Sequence, residues 1–289
     1  MDAPYLEKPR NIGEIIFCET TKPKAAFERN NTGTAIWTVV CLLFAALMGW
    51  LTYLFPDNSG WFITGLIVAL IVAACVLYYN TPGSFSGTDM FVGTDGFSYY
   101  KFKRDRANKT EMQTFYFKDM VICRSGRTKH YKNNSYQGTE AKFFFFFAGP
   151  NGVHTFPKKV TFRDEKHYPP TTSDPASAET RWLYMVEQRW NDIIIPRLMH
   201  EVFEMNHVVN FNSNSGIIEV WRDGMRVGGK QYLRGEVGNI YPENGVLIIE
   251  HSNFEKGFFK NKGDRARIDM ADLDNPAAFL ALMENIFGK

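Results

Sequence analysis

TAIWTVVCLLFAALMGWLTYLF at residues 34–55 and WFITGLIVALIVAACVLYY at residues 61–79 are two adjacent apolar stretches, and they decide the predicted fold. Neither contains Lys, Arg, Asp, Glu or His. A hydrocarbon core of about 30 Å needs about 20 apolar residues per helix. The sequence therefore predicts a transmembrane helical hairpin at residues 34–80. The mean hydropathy of the 289-residue chain is only −0.26, because the remainder is polar.

Small residues recur at every fourth position in both stretches. This spacing lines one face of each helix for close backbone approach. The connector between them, PDNSG at residues 56–60, is rich in turn formers and predicts an antiparallel pair. Contact within the hairpin is the favoured interpretation, and a seam between copies of the chain is the alternative. The candidate packing residues are Cys41, Ala45, Gly49, Gly65, Ala69 and Ala73.

Basic residues flank the predicted hairpin and are absent from its connector. Loops rich in Lys and Arg face the cytoplasm, so we expect a multi-pass inner-membrane protein with both termini cytoplasmic. Residues 1–33 then form a cytoplasmic leader. Cys18 and Cys123 lie outside the spans without a disulfide pattern, which indicates a reducing compartment and no metal site.

From residue 81 onwards, short apolar strands alternate with turns, and the pattern occurs twice. VGTDGF at residues 92–97 is echoed by VWRDGM at residues 220–225. Each copy ends in an amphipathic helix, predicted at about 178–207 and 276–287. We therefore predict a first unit at residues 81–207 and a second at residues 208–289, with a candidate strand at residues 13–18 added from the leader.

Two further strand signals are strong. Asn244-Gly245 between apolar stretches predicts a hairpin with a type I′ turn. KFFFFF at residues 142–147 is too short to span a membrane and predicts a strand buried on both faces.

Antiparallel strands closed by a C-terminal helix resemble a pleckstrin-homology-like barrel or sandwich. The chain also resembles, more widely, a family of bacterial two-span membrane proteins with tandem units of this kind. The segments that carry this resemblance are IPRL at residues 195–198, VNF at 209–211, DGM at 223–225 and DNP at 274–276. The resemblance implies an α+β fold with a transmembrane hairpin and two such units. It implies no particular activity.

No motif for nucleophilic, phosphate-loop or zinc chemistry is found, so the sequence predicts no enzyme, cofactor or metal. His200 and His207 are two helical turns apart, which is typical of a solvated helix face rather than of metal ligands. A net charge of +2, with basic and acidic residues alternating, argues against nucleic acid as a partner.

The predicted functional candidate is a basic hairpin shortly after the second apolar stretch. Its cations are candidate contacts to anionic lipid headgroups. The alternative is that these basic residues only reflect the preference of Lys and Arg for the cytoplasmic side of a membrane. These candidates are Lys101, Lys103, Arg104, Arg106 and Lys109. A second basic cluster, predicted on the next loop, comprises Arg124, Arg127, Lys129, His130 and Lys132.

The predicted function is a membrane-anchored, non-enzymatic interaction or regulatory platform. Its expected partners are the lipid bilayer, anionic lipid headgroups, and a protein partner or a second copy. Two alternatives stay open. One is a subunit of an oligomeric transport or channel assembly. The other is a small-molecule or lipid-binding barrel whose wall is the phenylalanine-rich strand.

Overall fold

The computed structural model describes residues 7–21, 31–55, 57, 59–80, 86–103, 109–150, 152–164, 166–172, 174–255 and 263–288. Within them the protein is α+β, with four antiparallel sheets and four α-helices.

The first unit consists of strands in two sheets followed by a long helix that ends in a π-helical turn. Its elements, with the two helices inserted among them, are β1 (Ile15–Thr20), α1 (Asn31–Leu54), α2 (Ser59–Asn80), β2 (Ser86–Gly93), β3 (Gly96–Lys103), β4 (Lys109–Tyr116), a 3-10 turn (Phe117–Asp119), β5 (Met120–Lys132), β6 (Ser135–Gly149), β7 (Gly152–Phe162), α3 (Pro175–Met199) and the π-turn (His200–Glu204). The sheet orders are β1-β2-β3-β4 and β5-β6-β7.

The second unit repeats this plan. Its elements are β8 (Val209–Ser213), β9 (Gly216–Trp221), β10 (Gly224–Val227), β11 (Lys230–Leu233), β12 (Val237–Glu243), β13 (Val246–His251), β14 (Arg265–Asp269) and α4 (Pro276–Phe287). Its sheets have the orders β8-β9-β10-β11 and β12-β13-β14. Each unit is therefore a four-stranded sheet, a three-stranded sheet and a closing helix.

The two Asp-Gly segments occupy equivalent hairpins. The carbonyl of Asp95 accepts a hydrogen bond from the backbone of Phe117 at 2.9 Å, and that of Asp223 accepts one from Arg234 at 2.9 Å. A Cβ at Gly96 would lie 2.2 Å from a carbonyl oxygen of β4, and one at Gly224 would lie 2.5 Å from a carbonyl oxygen of β11. Both hairpins thus require glycine for the same reason, the close approach of the neighbouring strand.

The phenylalanine-rich strand β6 alternates between two environments, as the period of a strand requires. Phe143, Phe145 and Phe147 are buried in the core, whereas Phe144 and Phe146 are half-buried on the other face. The prediction of a strand buried equally on both faces therefore holds for the inner face only. Phe97 of β3 lies 5.7 Å from Phe145 and completes an aromatic core.

The strand from the leader is built into the first sheet. β1 pairs antiparallel with β2, and Thr21 donates its backbone N–H to the Thr88 carbonyl at 3.0 Å. Ile12, just before β1, is fully buried on the outer face of this sheet with Phe91 and Tyr100. Because β1 precedes α1 and β2 follows α2, the two helices are an insertion in the β1–β2 connection.

The two inserted helices pack against each other, and some of the predicted small residues lie in their contact. Cys41 and Ala69 are buried, and Ala45 and Gly65 are half-buried. A Cβ at Gly65 would lie 3.1 Å from the Met48 sulfur. Gly49 is exposed with open space around it, so it is not a packing position. The side chain of Ala73 lies outside the described residues.

No helix in the described part of the chain is both long and apolar enough to cross a membrane. By this finding the predicted transmembrane hairpin at residues 34–80 is wrong. The predicted multi-pass inner-membrane localisation and its orientation, which rested on the hairpin, are wrong with it.

Candidate functional site

The described cavity with the strongest charge bias is a cleft of about 160 Å³ on the first unit. It lies where β5, β6 and the end of β7 meet the segment that leads to α3. We call it the basic cleft, and its lining is Arg127, Lys129, Thr139, Phe162, Asp164, Lys166, His167 and Tyr168.

The strands supply one wall of the basic cleft. Arg127 and Lys129 are two positions apart on β5, so their side chains leave the same face of the sheet. Lys129 is in register with Thr139 of β6, and Thr139 is in register with Phe162 of β7. One row across the three-stranded sheet therefore carries a cation, a hydroxyl and an aromatic ring into the cleft.

Tyr168 supplies the opposite wall and positions Arg127. The Arg127 guanidinium lies 4.6 Å from the centre of the Tyr168 ring. That ring packs edge-on against Tyr184 of α3, with 5.5 Å between centroids. Burial raises the pKa of Tyr168, so its hydroxyl is neutral at physiological pH. A cation over an aromatic face is stabilised by the ring quadrupole, and the arginine is thereby held in place.

Asp164 holds the loop after β7 together. Its carboxylate accepts backbone N–H groups from Thr171 at 2.9 Å and from His167 at 3.1 Å. These hydrogen bonds, led by that of Thr171, lower the pKa of Asp164. The one acidic side chain among the described lining residues is therefore occupied in shaping the loop.

The charged side chains among the described lining residues of the basic cleft are mostly basic. Arg127, Lys129 and Lys166 are basic, and Asp164 is acidic. Within the described part of the chain, neither Arg127 nor Lys166 has a carboxylate within ion-pair distance. Such a site favours an anion, since charge-assisted hydrogen bonds are about twice as strong as neutral ones.

A half-buried acid lies near this region. Glu187 of α3 accepts a hydrogen bond from the Ser125 hydroxyl of β5. Burial raises the pKa of Glu187, and its charge in turn contributes to the raised pKa of Tyr168. Burial also raises the pKa of the neighbouring Cys123 thiol.

Two larger depressions lack this charge bias. One of about 500 Å³ lies between the first Asp-Gly hairpin and α3, and its lining balances Lys118 against Asp95. The other, of about 490 Å³, is lined mainly by β2, β3 and β4 and contains Lys101 among hydroxyl groups. Lys101 is already paired with Glu111 at 2.5 Å.

The predicted basic hairpin is described only in part. Besides the Lys101 pair, Lys109 forms an ion pair with Glu7 at 2.7 Å and lies 4.8 Å from the centre of the Tyr100 ring. Arg104, Arg106 and the side chain of Lys103 lie outside the described residues. The contact of this hairpin with anionic lipid stays a prediction.

The second basic cluster is divided by the structure. Its residues belong to strand β5 rather than to the predicted loop. Arg127 and Lys129 line the cleft, whereas Arg124 forms an ion pair with Asp274 at 2.6 Å and His130 lies 3.9 Å from Glu140. The sequence did not indicate that the cleft is also lined by Lys166, His167 and Tyr168. They form a basic-aromatic stretch in a proline-containing loop, and such a stretch gives no signal of where the loop folds back.

No group of three metal-ligating side chains occurs among the residues that the structure describes. His200 instead lies 2.7 Å from Glu204 on an exposed helix face.

Neither a scan against protein-family models nor a search of curated proteins found a match to this chain.

Proposed function

We propose that this protein is a non-enzymatic interaction protein whose first unit binds an anionic partner in the basic cleft. The observation that supports this proposal most directly is that Arg127 and Lys166 line a cleft whose single described acid is engaged by backbone N–H groups. Electrostatic attraction of this kind increases association rates and favours partners of opposite charge.

The junction between the units supports a role as a rigid platform. Asn275, which precedes α4, accepts hydrogen bonds from the backbone N–H of Cys123 and from Trp190 Nε1, both at 2.9 Å. Asp274 pairs with Arg124 of β5 and accepts a hydrogen bond from the Asn212 side chain at 2.8 Å. The cleft is therefore presented on a body in which both units share one core.

The two alternative functions gain no support from the described residues. A transport or channel subunit required the transmembrane hairpin. A ligand cavity walled by β6 required open space beside its phenylalanines, but Phe145 and Phe147 pack against Phe97 in the core.

Crosslinking in cells followed by mass spectrometry tests the proposal. We expect the wild-type protein to capture partners that Arg127→Glu loses, because the reversed charge repels an anion. Arg226→Glu is the matched control, since Arg226 is exposed on the second unit. Identical partners for wild type and Arg127→Glu would contradict the proposal, as would equal losses in both variants.

A further inference from the structure

We infer that the inserted helix pair joins two copies of this chain through one flank of the pair. This inference goes beyond the proposed function and concerns a different surface from the basic cleft.

The surface of the helix pair is apolar and largely exposed. Leu43 is 66% exposed, Trp50 is 60% exposed and Trp61 is 82% exposed. Residues 34–55 and 61–79 contain no Lys, Arg, Asp, Glu or His. Contiguous apolar patches larger than a few hundred Å² mark interaction sites on proteins. The helix pair is therefore a candidate contact with a partner.

One flank of the pair is continuous across both helices. The contact between the helices is formed by their least exposed positions, among them Cys41 and Ala45 of α1 and Ala69 of α2. The residues that directly follow the contact positions are exposed and lie about 100° further around each helix, because a helix has 3.6 residues per turn. Since the helices are antiparallel, this rotation brings both rows to the same side of the pair. We call this side the apolar flank, and it consists of Leu42, Ala46 and Gly49 of α1 and Ile63, Ile67 and Leu70 of α2.

The apolar flank has small residues on α1 at the level of large residues on α2. Gly65 lies against the Met48 side chain, and this contact fixes the level at which the antiparallel helices pass each other. Gly49 is therefore level with Ile63, and by the same register Ala46 is level with Ile67. A Cβ at Gly49 would have no described atom within 4 Å. α1 thus offers a shallow groove where α2 carries bulky side chains.

These features match the flank of a second copy. When two copies are related by a twofold axis parallel to the helices, α1 of each copy lies against α2 of the other at the same level. Ile63 and Ile67 of the second copy then face Gly49 and Ala46, and small residues allow helices to approach closely. The product is a four-helix bundle with antiparallel neighbours and an isologous interface.

The area of the flank is sufficient for a specific contact. The helices have 24 and 22 residues, which corresponds to lengths of about 36 and 33 Å, and each is about 10 Å wide. One side of the pair therefore covers about 700 Å². Standard interfaces bury about 800 Å² per partner, and a biological interface needs at least about 500 Å² per partner.

The absence of charge on the apolar flank also favours a second copy. A partner that presented Lys, Arg, Asp or Glu there would bury those charges without a counter-charge, which is costly. The flank of a second copy carries no such residue. It also supplies a surface of matching length and complementary shape.

Cysteine crosslinking between two differently tagged copies of the full chain, co-expressed in cells, tests the inference. Both copies carry Cys41→Ala and Cys75→Ala, and a bifunctional maleimide is the reagent. We expect Ala46→Cys in one copy to crosslink to Ile67→Cys in the other. Phe44→Cys with Val68→Cys is the matched control pair and should give no product. Both control residues are exposed at the same level, but they precede the contact positions and so lie on the opposite flank.

Sedimentation of the purified full chain measures the same contact at equilibrium. Gly49→Leu should weaken association by about tenfold or more, because it overpacks the close approach of the two copies. Leucine favours a helix more than glycine does, so a loss of association would not come from unfolding of α1, and circular dichroism checks this. Phe44→Leu is the control and should leave association unchanged.

Four results would overturn the inference. One is a monomeric wild-type chain, and another is equal crosslinking by the two pairs, which indicates non-specific apolar contact. A third is crosslinking of Ala46→Cys to a different protein in place of the second copy. The fourth is association of the monomer with phosphatidylcholine vesicles without crosslinks between copies, which would assign the flank to lipid. The proposed function of the basic cleft is tested separately by Arg127→Glu, so either can fail without the other.

Discussion

Glu187 of α3 is a half-buried carboxylate that faces β5. Its hydrogen bond from Ser125 only partly compensates for burial, and its pKa remains raised. The folded chain therefore holds this proton more tightly than the unfolded chain does. The associated stability is present below the ordinary glutamate pKa of about 4.3 and is lost as pH rises through the raised value.

Glu187→Gln should consequently increase stability at pH 7, because a neutral amide avoids the cost of a buried charge and still accepts the Ser125 hydrogen bond. The increase should shrink as pH falls towards 4, because Glu187 of the wild type then becomes protonated in the unfolded state as well as in the folded state. Thermal unfolding between pH 4 and pH 8 measures it. Asp192→Asn, on the exposed face of the same helix, is the control. An increase that is independent of pH would contradict the ionisation of Glu187 as the cause.

At the scale of elements, the first sheet requires strand β1 but does not require the inserted helix pair. Thr21, directly after β1, and Thr88 of β2 lie on either side of the insertion in the sequence. These two residues are hydrogen bonded to each other. The ends of the insertion are therefore already close enough for a short hairpin turn. Strand β1 itself is a member of the first sheet and cannot be lost without exposing that sheet.

Replacement of residues 23–84 by about four turn-forming residues should therefore leave the β units folded, because hairpin loops of four or five residues are common. Circular dichroism and cooperative unfolding check this expectation. Deletion of residues 1–21 is the contrasting variant and should unfold the first unit, since it removes β1 and buried Ile12. Loss of the fold on replacing the helices, or its retention without β1, would contradict this description.

Local signals in the sequence predicted several elements well. Asn244-Gly245 does form a tight turn, with φ values of 51° and 82°, and Pro276 does begin the last helix. The apolar stretches did predict helices, but apolarity alone did not determine their setting. The basic cleft was beyond prediction because it is assembled by tertiary contacts. Its loop is folded back by the carboxylate of Asp164, and its arginine is placed by a ring about 40 residues away in sequence.

At the scale of the molecule, Asn275 joins the two units. It adopts a left-handed conformation with φ of 48°, and its side chain satisfies two buried donors, the Cys123 N–H and Trp190 Nε1. Its own N–H donates to the Cys123 carbonyl at 2.7 Å. One residue next to the second unit's closing helix thus completes the hydrogen bonding of the first unit's strand and helix.

Asn275→Gly should keep the backbone conformation and remove the side-chain acceptor. An unsatisfied buried donor costs about 1–3 kcal/mol, so we expect a loss of about 2–4 kcal/mol in the free energy of unfolding, measured in urea. Asn244→Gly is the matched control, because Asn244 has φ of 51° in an exposed turn. It should cost less than about 0.5 kcal/mol. Equal effects would show that Asn275 matters for its conformation and not for its bonds.

The position of Asn275 after β5 and α3 in the sequence has a consequence for synthesis on the ribosome. Strand β5 and helix α3 emerge long before Asn275, and the Cys123 N–H and Trp190 Nε1 lack their native acceptor until Asn275 has been made. The N-terminal unit therefore cannot complete its native hydrogen bonding before that point, although domains commonly fold in order from the N-terminus. Emergence of Asn275 is the event that allows both repeats to close together.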